Sequence, residues 1–566
     1  MKIKIKHEIQ QDKRINGDEL LNIILSHRGV EDKESFLSPP SPLTISLLDF
    51  GEKYKEQFDN VIKLLSQIKK ENRNIIVYTD YDADGITGGA ILWETLHLLG
   101  FNVFPYVPNR HTEGYGFSLH GIDTVIAEHN PALIISVDHG ITAREKIAYA
   151  KEKGVPIIVT DHHLKPEVEP DNAFALFHIP VLSGSAVSYF FSKEIDEYFK
   201  DILEIPENKQ RRLHHNFSAD YLTLASIGTI ADLVPLIGPS RSVVKYGLDA
   251  AGKTDRCGLN HILKEAGIEG KKISPYEVGF IIAPRINAIG RLQHAMDALR
   301  LLCTINCERA AQLAGQMGNK NKERQDLVKD GVAEAEQQVV TLYGGKLPAL
   351  IILRSNNWNE GIIGLIAAKI TEKYYRPTIV MTKSDGFYKA SARSIPALHM
   401  TDFLREHQSH LVDVGGHAAA AGFTIEEKQI EALTVKAQQT AKEKLQETDF
   451  ERIIDVDVKL PLSYLSTSIV KKIEELYPFG VGNPQPVFMS DCVLLDAKLM
   501  GKKNEHLRLY LKDADKQTYP VEFVYFNGAE QFSTLSSNQK LSVIYSVEIN
   551  RWGGNEKMQG KIVQIM

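Results

Sequence analysis

Between Ile75 and Thr160 short apolar runs alternate with longer stretches of mixed character. Ile75–Tyr78, Val103–Val107, Leu133–Val137 and Val155–Thr160 are mostly apolar along their whole length, as strands buried on both faces are. Helical spacing between most of them predicts a parallel sheet covered on both sides. Before this region, Glu19–Leu25 and Tyr54–Ile68 have helical periodicity and Ser38-Pro39-Pro40-Ser41-Pro42 interrupts them, so residues 1–70 read as a helical preface. Glu308 to about Leu342 has few helix breakers and predicts one long helix. Ala349–Leu353 then opens a second α/β region, in which Gly415–Gly422 is expected to be a small-residue helix. After a charged helix ending near Glu447, the segments Leu507–Leu511, Val521–Phe526, Leu541–Ile549 and Lys561–Ile565 predict a small β-barrel, with turns such as Gly553-Gly554-Asn555.

The fold class is therefore α/β, in five parts: a preface over 1–70, a parallel-sheet domain over 71–305, a connecting helix over 306–345, a second α/β domain over 346–450 and a C-terminal barrel over 451–566. A chain of 566 residues is too long for one core, which agrees with this division. Net charge is −6, which argues against a protein that coats nucleic acid but leaves room for local basic grooves. Cys257, Cys303, Cys307 and Cys492 form no C-x-x-C pair and read as small buried apolar residues in a reducing cytosol. No run approaches the ~20 apolar residues of a membrane span, and the Lys/Ile alternation at the N-terminus is no secretory signal, so a cytoplasmic protein is expected.

The chemistry concentrates in Asn74–Ala90, where the first strand is followed by Asp80, Asp82 and Asp84 and then by Gly85, Gly88 and Gly89. Residues two apart on an extended segment point the same way, so three carboxylates are expected to converge at the strand's C-terminal end. Like charges that close repel unless a cation neutralises them, and oxygen ligands suit Mg²⁺ or Mn²⁺. An EF-hand loop would need a preceding helix and a Glu at loop position twelve; a strand and an apolar residue stand there instead. Further acids and histidines follow at element ends: Asp138-His139-Gly140, Asp161-His162-His163 and Asp232 in Gly228–Pro235. Ligands of open parallel sheets bind at such ends.

The ordered series DYDADG, VDHG, DHH and GTIADLVPL, followed by RINAIGR, NEGIIGLIAAKI, SARS and GGHAAAAG, resembles the DHH phosphoesterase superfamily with its DHHA1 domain, and within it the single-stranded-DNA exonucleases. The resemblance implies a 5′-to-3′ exonuclease that releases mononucleotides from single-stranded DNA in recombination and repair. It implies two ions, Mn²⁺ or Mg²⁺: Asp82 and Asp138 would hold one, and Asp84, Asp138, His162 and Asp232 the other, with Asp80 as an additional ligand. His163 would stand beside the scissile phosphate, while His139 orients from behind. Some relatives have a His where this chain has Tyr78. Arg110 and Tyr115, in a Gly-rich loop, would meet a phosphate and line the strand's path; Ser391, Arg393 and His417 would hold the 5′ end. The barrel would be an OB-fold, with Arg508, Tyr510, Tyr525, Arg551 and Trp552 as DNA contacts. A single-strand-binding protein and a RecQ-like helicase are the implied partners. The segment 171–180 is short and lacks the family's customary Asn-Pro. Two rival readings are a DHH phosphodiesterase of short oligonucleotides or cyclic dinucleotides, and a non-catalytic replication scaffold. Scaffolds of that kind lose metal ligands, and this chain keeps them.

Overall fold

The computed structural model describes residues 1–9, 15–110, 112–384, 386–514, 519–552 and 555–566. They form two compact units, one of residues 3–283, 299–310 and 454–566, the other of 1–2, 284–298 and 311–453. Among the described residues no helix is long and apolar enough to cross a membrane.

The first unit holds a five-stranded parallel sheet of β1 (Asn74–Thr79), β2 (Asn102–Tyr106), β3 (Leu133–Val137), β4 (Ile157–Asp161) and β5 (Ala175–His178), in the order β2-β1-β3-β4-β5. Four of these are the strands the apolar runs predict. The fifth is missed because ALFH is only four residues long and follows a polar loop. Strands β3 and β4 are buried along their whole length, which is why their sequences lack polar alternation. The helix α1 (Lys53–Lys70) lies against β5, and α2 (Ala83–Leu98), α3 (Gly184–Phe199) and α4 (Tyr221–Ala231) pack on one another.

The same unit contains the barrel. Phe488–Met500, His506–Asp513, Val521–Tyr525, Asn555–Ile565 and Lys540–Trp552 pair in that order, and the last pairs back to the first, which closes a five-stranded barrel. Leu507, Leu509 and Leu511 alternate inward, as a strand period of two requires. Leu20, Leu21 and Ile24 of the helix Gly17–His27 belong to the barrel's core cluster, so the first preface helix packs with the chain's last domain. The fully buried Arg241 ties the sheet side to the barrel side: Nε donates to Phe36 O at 2.6 Å, and Nη1 and Nη2 donate to Pro478 O and Tyr477 O at 3.2 and 3.0 Å. Three carbonyls absorb a charge that has no acid paired with it among the described residues.

Cys257 and Cys307 are joined by a disulfide across a sequence separation of 50, while Cys303 and Cys492 are free. This corrects the reading of four buried thiols. Each bonded cysteine opens a helix, and only the tertiary fold brings the two starts together.

The helix Cys307–Tyr343 has 37 residues and spans about 55 Å. In the second unit Ile351–Arg354, Thr378–Ser384, Phe387–Arg393, Ala420–Ile425 and Asp413–Gly416 form one sheet, parallel in its first pair and antiparallel elsewhere. Gly415–Gly422 is thus a hairpin and not a helix: residue 416 takes φ +146°, a conformation only glycine adopts freely, and the alanines pair across to Arg393 and Ala392.

Candidate metal centre

Strand β1 ends at Thr79, and the chain turns at once into α2. Asp82 caps that helix, its Oδ1 accepting from Asp84 N and Gly85 N at 2.9 and 3.1 Å. Asp84 therefore lies in the first helical turn, and the three aspartates do not share a strand face. They separate into two groups. Asp80, Asp82 and Asp138 bring one ligand atom each within 4.8 Å of one another, and Asp84, His162 and Asp232 do the same. Asp138 joins the groups, with His162 Nε2 at 3.1 Å from its Oδ1. A third combination, Asp138, His162 and His163, meets the same criterion.

Each acid is placed by an element end. Asp138 follows β3 with φ +68°, a strained conformation for a residue with a side chain, and its N–H donates to Thr160 O at 3.0 Å. Asp232 closes α4. Asp84 is gripped by the start of α3: Gly184 N donates to Oδ2 at 2.7 Å and Ser185 N to Oδ1 at 3.0 Å. The small residues of Leu182–Val187 thus serve a carboxylate of the protein itself. A β-carbon at Gly184 would collide with the Asp138 side chain, and one at Gly228 with Asp84 and Ser185.

The group is electrostatically unbalanced. Asp80, Asp84 and Asp138 are at most 2% exposed. Burial, then Asp82, raises Asp80; burial, then Asp84, raises Asp138, both well above the carboxylate range. Burial and Asp84 push Asp232 up to about 8 and also raise Asp82. Burial lowers His162. Asp80 Oδ1, Asp138 Oδ1 and His162 Nε2 are buried without a hydrogen-bond partner among the described residues. Carboxylate oxygens and an imidazole nitrogen left open in this way fit divalent cations, which would restore the ionised state.

His163 is set by Asp161, an acid of the DHH run to which the sequence reading gave no role of its own. Asp161 Oδ1 accepts from His163 Nδ1 at 2.8 Å and from the His162 and His163 amides, and Oδ2 accepts from Ile141 N. Burial opposes the charge on His163, but the Asp161 bond and charge outweigh it and raise the imidazole to about 9. His178 is a second missed residue. Its Nε2 lies 2.7 Å from His163 O, and the hydroxyl of Tyr54 on α1 donates to its carbonyl. The 171–180 segment contains β5, whose pairing sets His178 opposite Asp161. Glu113 is a third. It accepts from Asn109 N, Tyr106 Oη and Ser118 Oγ, fixing the loop that carries Arg110 and Tyr115.

Within that loop the Arg110 guanidinium sits 5.0 Å over the Tyr81 ring. Tyr115 Oη donates to Asp138 O at 3.0 Å and lies 3.2 Å from His163 Nε2. His139 points away from the acids and its Nε2 lies 3.0 Å from Tyr78 O, while Tyr78 is buried against Tyr106 and Phe117.

In the second unit Ser391 and Arg393 lie two apart on one strand. Arg393 Nη1 donates to Ser391 Oγ at 3.2 Å, and both face Gly364 at the start of the helix Ile363–Tyr374. His417 is exposed at the hairpin turn, where Thr401 Oγ1 bonds its carbonyl. On the barrel Arg551 is engaged by Glu474 and Glu556, and Arg508 lies 3.7 Å from Glu522; these arginines already have acidic partners. Tyr510 and Tyr525 sit half-buried on adjacent strands. The side chain of Trp552 and residues 553–554 lie outside the described residues.

The order of domains along the chain can be set against known proteins. The family model "DHH family, N-terminal domain" matches residues 74–229, the DHHA1 domain matches 345–443 and the RecJ OB domain matches 456–564. The single-stranded-DNA-specific exonuclease RecJ of Haemophilus influenzae is 30% identical over 518 residues, covering 88% of this chain and 89% of that protein. The chain belongs to the RecJ family. RecJ of Bacillus subtilis is 31% identical over 89% of the chain, and this chain spans 62% of that relative's length. The crystal structure of Thermus thermophilus RecJ in complex with Mn²⁺ superposes with a TM-score of 0.79 at 26% identity, covering 100% of this chain and 79% of that one. A RecJ structure with Mg²⁺ from the same organism gives 0.72 at 25% identity. The order of DHH domain, DHHA1 domain and OB barrel along the chain is thus that of the RecJ family.

Proposed function

We propose that this protein is a metal-dependent exonuclease that hydrolyses single-stranded DNA from the 5′ end to mononucleotides. The observation that carries the reading is the pair of abutting ligand groups joined where Asp138 meets His162, buried and short of positive charge. Membership of the RecJ family, whose Haemophilus and Bacillus members are single-stranded-DNA-specific exonucleases, supports it. Asp80, Asp82 and Asp138 would hold one Mn²⁺ or Mg²⁺, and Asp84, Asp138, His162 and Asp232 the other. Bound there, two divalent ions supply charge neutralisation and Lewis acidity toward a phosphodiester and an attacking water.

The protein's own groups do the rest. His163, charged and oriented by Asp161, donates to a phosphate oxygen. Tyr115 holds the His163 edge, and Arg110 meets the next phosphate. Ser391, Arg393 and His417 grip the 5′ end, which gives the direction of cutting. The barrel binds the incoming strand. The protein acts in the cytoplasm, in recombination and repair, beside a single-strand-binding protein and a RecQ-like helicase.

The test is hydrolysis with Mn²⁺ of single-stranded DNA labelled at either end, alongside duplex, RNA and a dinucleotide, with Asp138→Ala as control. Early release of mononucleotide from the 5′ label alone, absent in the variant, is expected. Cleavage confined to the dinucleotide would replace the reading with small-substrate turnover, and binding without cleavage would replace it with a scaffold.

A further inference from the structure

Among the large apolar side chains left exposed, two are aromatic and stacked on each other. Tyr276 and Phe280 are 62% and 70% exposed, with ring centroids 5.0 Å apart and planes at 28°. They stand four apart on the helical turns Pro275–Glu277 and Val278–Ile282, so the backbone itself presents them side by side.

Their position is specific. Gly279, between them in sequence, faces Ile230 of α4, with 4.0 Å between a β-carbon built there and Ile230 Cγ2. Ile230 is two residues before Asp232. Directly after Asp232, Leu233 takes φ +60° and is 68% exposed. The aromatic pair is thus carried on the turn that packs against the helix ending in a metal-centre carboxylate. Lys271 and Lys272 are exposed just before the pair, with Lys272 Nζ 5.5 Å over the Tyr477 ring. The nearest acid in sequence, Glu277, is engaged in capping, accepting from Ser274 N and Oγ. The patch therefore combines flat aromatic faces with two exposed ammonium groups, in a stretch that also carries Glu269 and Glu277.

We infer that Tyr276 and Phe280 form a stacking platform for unpaired bases of the DNA strand whose phosphate lies at the Asp232 end of the metal centre. Every base offers a π-face, so such a platform accepts any sequence, as a nuclease without sequence preference requires. The lysines meet the phosphates of the same nucleotides. Duplex DNA keeps its base faces stacked internally and offers none to the pair, so the platform also selects against duplex. The inference rests on the exonuclease reading given above.

The test uses the full chain carrying Asp138→Asn, which stops turnover, and two oligonucleotides of equal length, one of thymidine and one abasic. Tyr276→Ala combined with Phe280→Ala is expected to weaken thymidine-strand binding about tenfold and to leave abasic-strand binding unchanged. Separately, Phe280→Trp should bind as the parent does, and its added indole emission should be quenched by the thymidine strand but not by the abasic one. Unchanged affinity together with an unquenched indole, while the parent still binds and hydrolyses single-stranded DNA, would overturn the platform and leave the exonuclease reading standing. An equal loss on both strands would also overturn it, by assigning the patch to the backbone or to the fold. Absence of binding and hydrolysis in the parent would overturn the exonuclease reading, and the platform with it.

Discussion

Two clusters of buried charge lie in the first unit, and they are built on opposite terms. At one, Glu94 is held between Arg212 and Arg256, Arg256 Nε lies 3.5 Å from Asp220, and Thr254 Oγ1 donates to Asp220 Oδ1 at 2.7 Å. Two acids meet two arginines, and Arg256 Nη1 also donates to Leu302 O at 2.6 Å. At the other, Asp84, Asp138 and Asp232 surround His162, Asp80 and Asp82 gather at Asp138, and His163 stands at the rim. The first cluster neutralises itself as a structural node, although Arg256 Nε, 3.5 Å from Asp220, makes no hydrogen bond among the described residues. The second has too few cations of its own, and its open atoms define what must come from outside. Burial alone does not separate structure from function; the local charge sum does.

The sharpest way to break this contrast is Asp138→Asn. We expect hydrolysis to fall roughly 10³-fold or more, while the thermal midpoint measured in chelator stays level or rises, because a buried acid whose ionisation burial and Asp84 oppose is gone. A fall of several degrees would place Asp138 with the structural node. Arg256→Met should do the reverse. Leaving Glu94 and Asp220 buried without their arginine costs about 3–5 kcal/mol, seen as a lower denaturant midpoint whether or not metal is present. Third, Mn²⁺ at 100 times its Kd should stabilise the parent by about 2.7 kcal/mol over chelated protein, and Asp138→Asn should blunt that gain; equal gains in both would remove the metal from this cluster.

A single acid supplies the intermediate case. Asp196 is raised to about 6, first by burial, and its Oδ1 has no hydrogen-bond partner among the described residues. A carboxyl raised in the folded state contributes stability below its ordinary range, which is lost as pH rises through about 6. Asp196→Asn should therefore gain on the parent by about 2 kcal/mol between pH 4 and pH 7, measured by urea unfolding at both. A constant difference across that range would show that the carboxyl is solvated.

Much of this was legible because it was local. The apolar runs gave β1 to β4, and the acids stood at strand ends where an open sheet exposes them. What escaped depended on distant contacts. Asp84 is gripped by amides about a hundred residues away, and no spacing rule connects Asp84 with Gly184. The split of the DxDxD run into two groups had a local cause instead: the strand ends at Thr79 and Asp82 caps a helix, which period-two reasoning does not see. His178 was hidden inside a strand too short to register, and the hairpin at Gly415–Gly422 was hidden because alanine favours helices until a neighbouring strand offers pairing. The disulfide, likewise, joins helix starts that only the fold brings together.

Gly184 and Gly228 carry one more consequence. Neither offers a functional group, yet a single methyl at either would press into Asp138 or Asp84. A descendant of this gene could keep every acid and every histidine of the motifs and be silenced by one alanine. When copies of the chain are sorted into working enzymes and relics, these two blank positions are therefore the ones to read first.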